Sequence, residues 1–119
     1  IYGADISEQM IDMAKKNAER AGVADYIDWE VKDLANFDQS HESVKVVTNP
    51  PYAERLSNED EAKSIYEAMG KVFYNKKNWE LWILSGNSEL TKSIRMKASK
   101  KIPLRNGNLE CRLLHYPIY

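Results

Sequence analysis

A short β-branched run that stops at two consecutive prolines constrains this chain more than any other stretch. The run Val44–Thr48 favours a buried strand. Pro50 and Pro51 end that strand, because proline has no N–H to donate to a neighbouring strand. The Asn49–Tyr52 segment therefore leaves the carboxyl end of a strand, which is where open α/β sheets bind their ligands.

The groups around the two prolines suit a planar base that carries an exocyclic amine. The side-chain oxygen of Asn49 and the carbonyl of Pro50 could accept hydrogen bonds from one amine, and Tyr52 could stack on the ring. Taken alone, a Pro-Pro loop with an incidental Asn and Tyr is the simpler interpretation. The flanking sequence has to decide between the two.

An acid follows the first predicted strand. Ile1–Ile6 predicts a strand that ends near Asp5, and Ser7 is the predicted N-cap of a helix that ends at Ala21 or Gly22. The apolar positions of this helix are Met10, Met13, Ala14, Ala18 and Ala21. Asp5 could accept both hydroxyls of a ribose. It could equally be an acid that favours a helix N-terminus.

A second acid follows the next predicted strand. Ile27–Val31 alternates apolar and polar residues, which predicts a half-buried strand, and Asp33 comes directly after it. Asp33 could receive an adenine amino group, although such an acid alone is more often an ordinary loop residue. Three successive strands thus end in Asp5, Asp33 and Asn49. Since neighbouring strand ends converge on one crevice, the series predicts a nucleotide-like cofactor beside a base.

The composition indicates one soluble domain of 119 residues, or part of one. A net charge of −1 gives no overall attraction to nucleic acid, so a local patch or a further domain would have to supply it. A single cysteine, the lack of a signal sequence and the lack of a membrane-length apolar run make the cytoplasm the expected compartment. The chain opens at Ile1 inside a predicted strand, so we expect a piece of a longer protein.

The second half of the chain predicts a helix, a strand and a hairpin. Asn58 and Glu61 suggest a capping box for a helix, Leu81–Leu84 predicts a buried strand, and a short helix is expected over Ser88–Arg95. The apolar positions of the first helix are Ala62, Ile65, Tyr66, Met69, Val72 and Phe73. Asn106-Gly107 between two strand-like runs, 98–104 and 109–116, predicts an antiparallel hairpin. This order predicts an α/β fold whose sheet is mostly parallel, with an antiparallel end.

Together these motifs resemble the class I S-adenosylmethionine-dependent methyltransferases that act on exocyclic amines. The likeness is greatest to bacterial RNA guanine-N2 methyltransferases that carry an upstream THUMP RNA-binding domain. It rests on 3–7, 10–11, 14–18, 21–23, 48–52, 54–55, 106–107 and 109–113. The resemblance implies methylation of guanine N2 in 23S ribosomal RNA, with S-adenosyl-L-methionine as cofactor. Ala53 stands where the family is expected to have glycine.

The same resemblance implies a role for each site residue. Asp5 and Ile6 would contact the ribose side of the cofactor, and Asp33 and Leu34 its adenine side. Asn49 would lie next to both cofactor and substrate. The catalytic set would be Asn49, Pro50, Pro51 and Tyr52, with Tyr52 stacked on the flipped guanine.

The resemblance also implies that residues 1–119 are a partial catalytic domain with a Rossmann-like sheet. The first strand and its glycine-rich loop, which lie between the strands ending at Asp5 and Thr48 in the family, precede this chain. Two sheet edges would then be unpaired and open to self-association. We therefore expect the isolated 119-residue chain to bind cofactor weakly or not at all and to be inactive.

Other functions stay open at the level of sequence. A DNA adenine or protein-glutamine methyltransferase shares the Asn-Pro-Pro-Tyr motif, and a non-catalytic module that binds RNA or another partner could keep the fold. No metal site is expected, because the spacing of His41, Cys111 and His115 matches no usual zinc pattern. The acid-free stretch 91–105 could follow a phosphate backbone, or could be a solvated face and a protected sheet edge. Its basic residues are Lys92, Arg95, Lys97, Lys100, Lys101 and Arg105.

Overall fold

The chain folds into two compact units, residues 1–38 and 39–119, each with its own sheet. A computed structural model describes residues 1–51, 59–87 and 91–119. The first unit contains β1 (Tyr2–Asp5), α1 (Glu8–Arg20) and β2 (Asp28–Val31). The second contains β3 (Lys45–Thr48), α2 (Glu59–Phe73), β4 (Glu80–Ser85), β5 (Lys100–Asn106) and β6 (Leu109–Pro117).

In the first unit, β1 and β2 pair in parallel, and α1 connects them as predicted. The Ser7 hydroxyl caps α1 by accepting a hydrogen bond from the Met10 amide at 3.3 Å. Gly22 follows the helix with φ +73°, a left-handed conformation that glycine adopts without strain. The predicted N-cap is therefore confirmed, and the helix ends at Arg20, one residue before the predicted end at Ala21 or Gly22.

The predicted apolar face of α1 is wrong in part. Ile11 and Ala18 are the buried residues of the helix, whereas Met10 and Met13 are exposed. Only a two-stranded sheet lies in this unit, so the helix has a narrow surface to cover. The predicted burial of Val31 is also wrong, since its side chain is exposed at the end of β2.

The sheet of the second unit has the strand order β3-β4-β6-β5. The β3–β4 pair is parallel, and β4–β6 and β5–β6 are antiparallel, which confirms parallel pairing with an antiparallel end. The predicted burial of β3 is wrong: β3 is an edge strand, and Val47 is 73% exposed. By contrast, Leu81 and Ile83 on the inner strand β4 are fully buried.

Helix α2 supplies much of the core of the second unit. Its buried residues are Ala62, Tyr66, Met69, Gly70 and Phe73. Four of the six predicted positions are thus buried, and the other two, Ile65 and Val72, are half-buried. Gly70 packs directly on the backbone of Ile94, in a 3₁₀ turn formed by Lys92–Ile94. Within the described part of the helix predicted over Ser88–Arg95, Thr91 is helical and Lys92–Ile94 form the 3₁₀ turn. The predicted cap Asn58 and residues 88–90 lie outside the described residues.

The predicted hairpin is present with a shifted turn. Asn106 pairs with Leu109, so the two turn residues are Gly107 and Asn108 rather than Asn106 and Gly107. Gly107 has φ +64°, and Asn108 is not among the residues with positive φ. A glycine at the first of two turn positions is typical of a type II′ turn, whose twist matches that of the flanking strands.

Candidate active site

Asp5 lies at the carboxyl end of β1, where a ligand carboxylate is expected. Its Oδ1 accepts a hydrogen bond from the Ser7 amide at 2.8 Å, which fixes the carboxylate at the start of α1. The main-chain carbonyl of Asp5 accepts from the Lys32 amide at 2.9 Å, so β1 and β2 stay paired up to this point. Within the described chain, Oδ2 of Asp5 has no hydrogen-bond partner, and Asp5 is an exposed residue.

Asp33 repeats this arrangement after the neighbouring strand. It is the N-cap of a 3₁₀ turn, Leu34–Asn36, and its Oδ1 accepts from the Ala35 amide at 3.0 Å. The ring of Phe37, at the end of this turn, lies 6.0 Å from the ring of Tyr2 on β1. This contact holds the segment after Asp33 against the sheet. Like Oδ2 of Asp5, Oδ2 of Asp33 accepts no hydrogen bond from residues 1–51, 59–87 or 91–119.

The strand pairing places the two acids at the same edge of the small sheet. Asp5 is opposite Val31, two residues before Asp33. Beside Asp5, the Ile6 side chain is 69% exposed, and Leu34 is half-buried beside Asp33. An apolar surface next to two carboxylate oxygens fits a nucleoside, because the oxygens accept from hydroxyl or amino groups while the ring packs on apolar carbon.

The proline motif lies in the second unit, at the end of β3. Thr48 is the last paired residue, opposite Ile83 of β4. Asn49 follows as an exposed residue, Pro50 is buried and Pro51 is half-buried. Tyr52 lies outside the described residues. The structure thus places Asp5 and Asp33 at neighbouring strand ends, and convergence of all three strand ends on one crevice stays a prediction.

A polar cluster on the larger sheet was missed by the sequence reasoning. His115 Nε2 lies 3.1 Å from Oε2 of Glu80, and Nδ1 lies 2.9 Å from the Ser99 hydroxyl. The Trp82 ring stacks on His115 with centroids 4.1 Å apart, and its N–H donates to Glu80 at 3.2 Å. Glu80 and Trp82 are far in sequence from Ser99 and His115, so only the β4–β6 register, which pairs Trp82 with His115, could have revealed the cluster.

The electrostatics of this cluster are those of a structural link between strands. The Trp82 hydrogen bond, with Lys45 and His115 nearby, holds the pKa of Glu80 below its ordinary value. The main-chain amide of Ser99 already donates to the His115 carbonyl at 2.8 Å. The Ser99 amide and side chain thus both bond to His115, and the cluster joins β4, β6 and the segment before β5.

Within residues 1–51, 59–87 and 91–119, no group of three or more His, Cys, Asp or Glu side chains could hold a metal ion. None of the described helices has the length and apolar character needed to span a bilayer.

Comparison with known proteins gives consistent matches. Residues 1–115 match the family described as RMKL-like, methyltransferase domain. The chain is 37% identical over 119 residues to the ribosomal RNA large subunit methyltransferase K/L of Shewanella amazonensis. The alignment covers 99% of this chain but 17% of that protein.

Solved structures agree over the whole chain. A possible methylase from Clostridium difficile 630 aligns with TM-score 0.93 and 39% identity, covering 100% of this chain and 32% of that one. SMU.472, crystallised in complex with SAH, aligns with TM-score 0.93 and 30% identity, and the same shares are covered. The neighbours confirm the predicted Rossmann-like methyltransferase fold.

Proposed function

We propose a function for this chain, which belongs to the family of RMKL-like methyltransferase domains. The protein transfers a methyl group from S-adenosyl-L-methionine to an exocyclic amine of RNA, namely guanine N2 in 23S ribosomal RNA. The observation that carries the proposal is the pair of acids at neighbouring strand ends, Asp5 and Asp33, each with one carboxylate oxygen anchored and the other available. The ribosomal RNA assignment is supported by the Shewanella relative, of which this chain spans 17%.

The residues of the small sheet fit the nucleoside half of the cofactor. Asp5 would accept from the ribose hydroxyls, and Asp33 would accept from the adenine amine. Because an amide already holds Oδ1 of each, neither carboxylate needs to be ordered at the moment of binding. Ile6 and Leu34 would pack against the adenine ring. When bound, the cofactor supplies an electrophilic sulfonium methyl group.

The proline motif would hold the acceptor amine. The lone pair of a guanine amine is conjugated into the ring, so the amine is a weak nucleophile until its orientation is fixed. The Asn49 side-chain oxygen and the Pro50 carbonyl would accept from its two N–H groups, which directs the nitrogen toward the methyl group. Tyr52 would stack on the base, and the amine proton would leave to solvent after transfer. Pro50 is buried, so its carbonyl is held by the fold.

Radiolabelled methyl transfer by the natural full-length protein tests the proposal. Undermethylated 23S ribosomal RNA should be labelled on guanine N2, and duplex DNA should not. Replacing Asn49 with Ala should lower kcat by about 100- to 1,000-fold, the usual cost of losing one preorganised polar group. Label found on DNA alone, or methylation unchanged in the Asn49 variant, would refute the assignment.

The substitution Asp5→Asn separates binding from folding at the first acid. Asparagine keeps an oxygen for the Ser7 amide but loses the charge, so the melting temperature should stay unchanged. Cofactor affinity should fall about 10-fold or more, since hydrogen bonds to charged groups contribute about 1.5–3 kcal/mol. Asp12→Asn, an exposed acid on α1, is the matched control and should leave affinity unchanged. Equal affinities in all three proteins would remove Asp5 from the cofactor site.

A further inference from the structure

A basic groove runs along the C-terminal hairpin of the second unit. Its volume is about 1280 Å³, and it is lined by segment 91–98, the β5–β6 hairpin and Ser85–Asn87. We propose that this groove binds the sugar-phosphate backbone of the RNA whose base is methylated. The proposal rests on the proposed function for the identity of the nucleic acid, and on the groove itself for the binding chemistry.

The charge of the groove departs sharply from that of the chain. One acid, Glu110, is among the described lining residues, and the chain as a whole has a net charge of −1. The lining cations are Lys92, Arg95, Lys97, Lys101, Arg105 and Arg112. All of these cations are exposed. Apart from Lys92, which has another interaction, none forms an ion pair with a residue that the structure describes. The charge of Arg95, Lys97, Lys101, Arg105 and Arg112 is therefore available to an external anion.

The cations converge through strand register. On the hairpin, Lys101 is opposite Leu114, Pro103 is opposite Arg112, and Arg105 is opposite Glu110, so these residues share one face. Arg112 is also opposite Ser85 on β4, and both residues line the groove. Arg95 and Lys97 come from the facing segment. Side chains from separate segments thus line one groove.

The spacing and the charge of the groove residues suit the sugar-phosphate backbone of a nucleic acid. Lys101 and Arg105 are four residues apart on β5, which is about 13 Å along a strand and about two phosphate spacings of a nucleic acid. Arginine binds phosphate oxygens in a bidentate geometry. The aromatic lining residue, Tyr116, is 3% exposed, so the described lining offers no stacking surface for bases. Contacts of this kind position RNA without reading its sequence.

The salt dependence of RNA binding by the natural full-length protein tests this groove. The groove variant combines Arg95→Gln, Lys101→Gln and Arg112→Gln. The control variant combines Lys15→Gln, Lys63→Gln and Lys71→Gln, which are exposed lysines on α1 and α2. Fluorescence anisotropy with an undermethylated 23S RNA fragment gives Kd at several KCl concentrations, and methylation assays give KM and kcat.

We expect the groove variant to bind RNA about 10- to 100-fold more weakly at low salt. The slope of log Kd against log salt should decrease by about 2, because up to three phosphate contacts are lost. KM for RNA should rise while kcat at saturating RNA stays unchanged. The control variant should match the unaltered protein. The single variant Lys101→Gln should reduce the slope by about 0.7–0.9, which tests the groove again if the triple variant folds poorly.

The two proposals fail in different ways. If the unaltered protein methylates RNA but the groove and control variants bind it with equal Kd and equal slope, the groove proposal is wrong and the proposed function stands. If the unaltered protein methylates no RNA, the proposed function is wrong, and the salt slope still decides whether the groove binds phosphate. Competition by poly-glutamate as effective as that by RNA of equal charge would assign the groove to acidic proteins and overturn the RNA proposal.

Discussion

Replacing Gly70 with alanine should destabilise the protein, although alanine is the better helix former. A Cβ atom at position 70 would lie 2.3 Å from the main-chain carbonyl oxygen of Ile94 and 3.0 Å from its carbonyl carbon. Ordinary contact distances are about 3.5 Å, so the turn and the helix would have to separate by about 1 Å. The obstacle is backbone, which cannot rotate away as a side chain can. Ile94 is itself 1% exposed, so the displacement would disturb packing around it.

The expected magnitude follows from two opposing terms. Overpacking a core costs about 1–3 kcal/mol. The gain in helix propensity from glycine to alanine is about 1 kcal/mol. Because the clash is with backbone, we expect the upper part of the range and a net loss of about 1–2 kcal/mol. For a domain of this size that lowers the melting temperature by roughly 3–8 °C.

Thermal denaturation of Gly70→Ala beside Lys71→Ala measures the effect. Lys71 is the next residue on α2 and is exposed, so its replacement should change the free energy of unfolding by no more than about 0.5 kcal/mol. Hydrogen exchange should report faster opening at the Lys92–Ile94 turn in the Gly70 variant alone. A Gly70→Ala protein that melts above the unaltered protein would show that the helix and the turn do not pack as described.

Two further substitutions probe one unit each. Gly3→Ala should destabilise the first unit by about 1–3 kcal/mol in thermal denaturation, because a Cβ at Gly3 would lie 2.6 Å from the Trp29 ring, directly across the β1–β2 pair; an unchanged melting temperature would mean that the ring moves aside freely. Burial, with Tyr66 nearby, raises the pKa of Tyr116 to about 12. Since this pKa is above the unfolded value of about 10, the stabilisation is complete below pH ~10 and is lost as the pH rises through 12, by up to about 2–3 kcal/mol. Tyr116→Phe should flatten urea-unfolding free energies between pH ~10 and ~12, and an equally steep decline in the variant would contradict this reading.

Local signals predicted the helices and the strands well. Ser7 and Gly22 mark the ends of α1 because their interactions are made within a few residues of the chain. The stripe on α2 was predictable because a helix that packs on a sheet buries one face, and the period of that face is visible in sequence. The likeness to amine methyltransferases, carried by residues 48–52 and the hairpin, predicted the family correctly.

The burial of a strand depends on its neighbours, so the local sequence predicted it correctly for Leu81–Leu84 and wrongly for Val44–Thr48. The β-branched run Val44–Thr48 favours burial, yet β3 is an edge strand and Val47 is mostly exposed. The resemblance, unlike the local sequence, implied an unpaired edge at the strand that ends at Thr48. The hairpin shows the same limit at finer scale. Both Asn106-Gly107 and Gly107-Asn108 can form a two-residue turn, and the pairing of Asn106 with Leu109 chooses the second.

The cations near the C-terminus show how register turns an ambiguous sequence signal into a specific one. Protection of a sheet edge explains Lys100 and Lys101, because β5 is the edge strand of the larger sheet. It does not explain Arg95, which lies outside the strands, or Arg112, which lies on β6 with strands paired on both sides. Arg112 is absent from the basic run read along the sequence, and it joins that run through its position opposite Pro103. Edge protection alone does not require a cation at position 112. A row of cations that extends from the edge strand to an inner strand is what we expect of a surface that binds an anionic ligand along the hairpin.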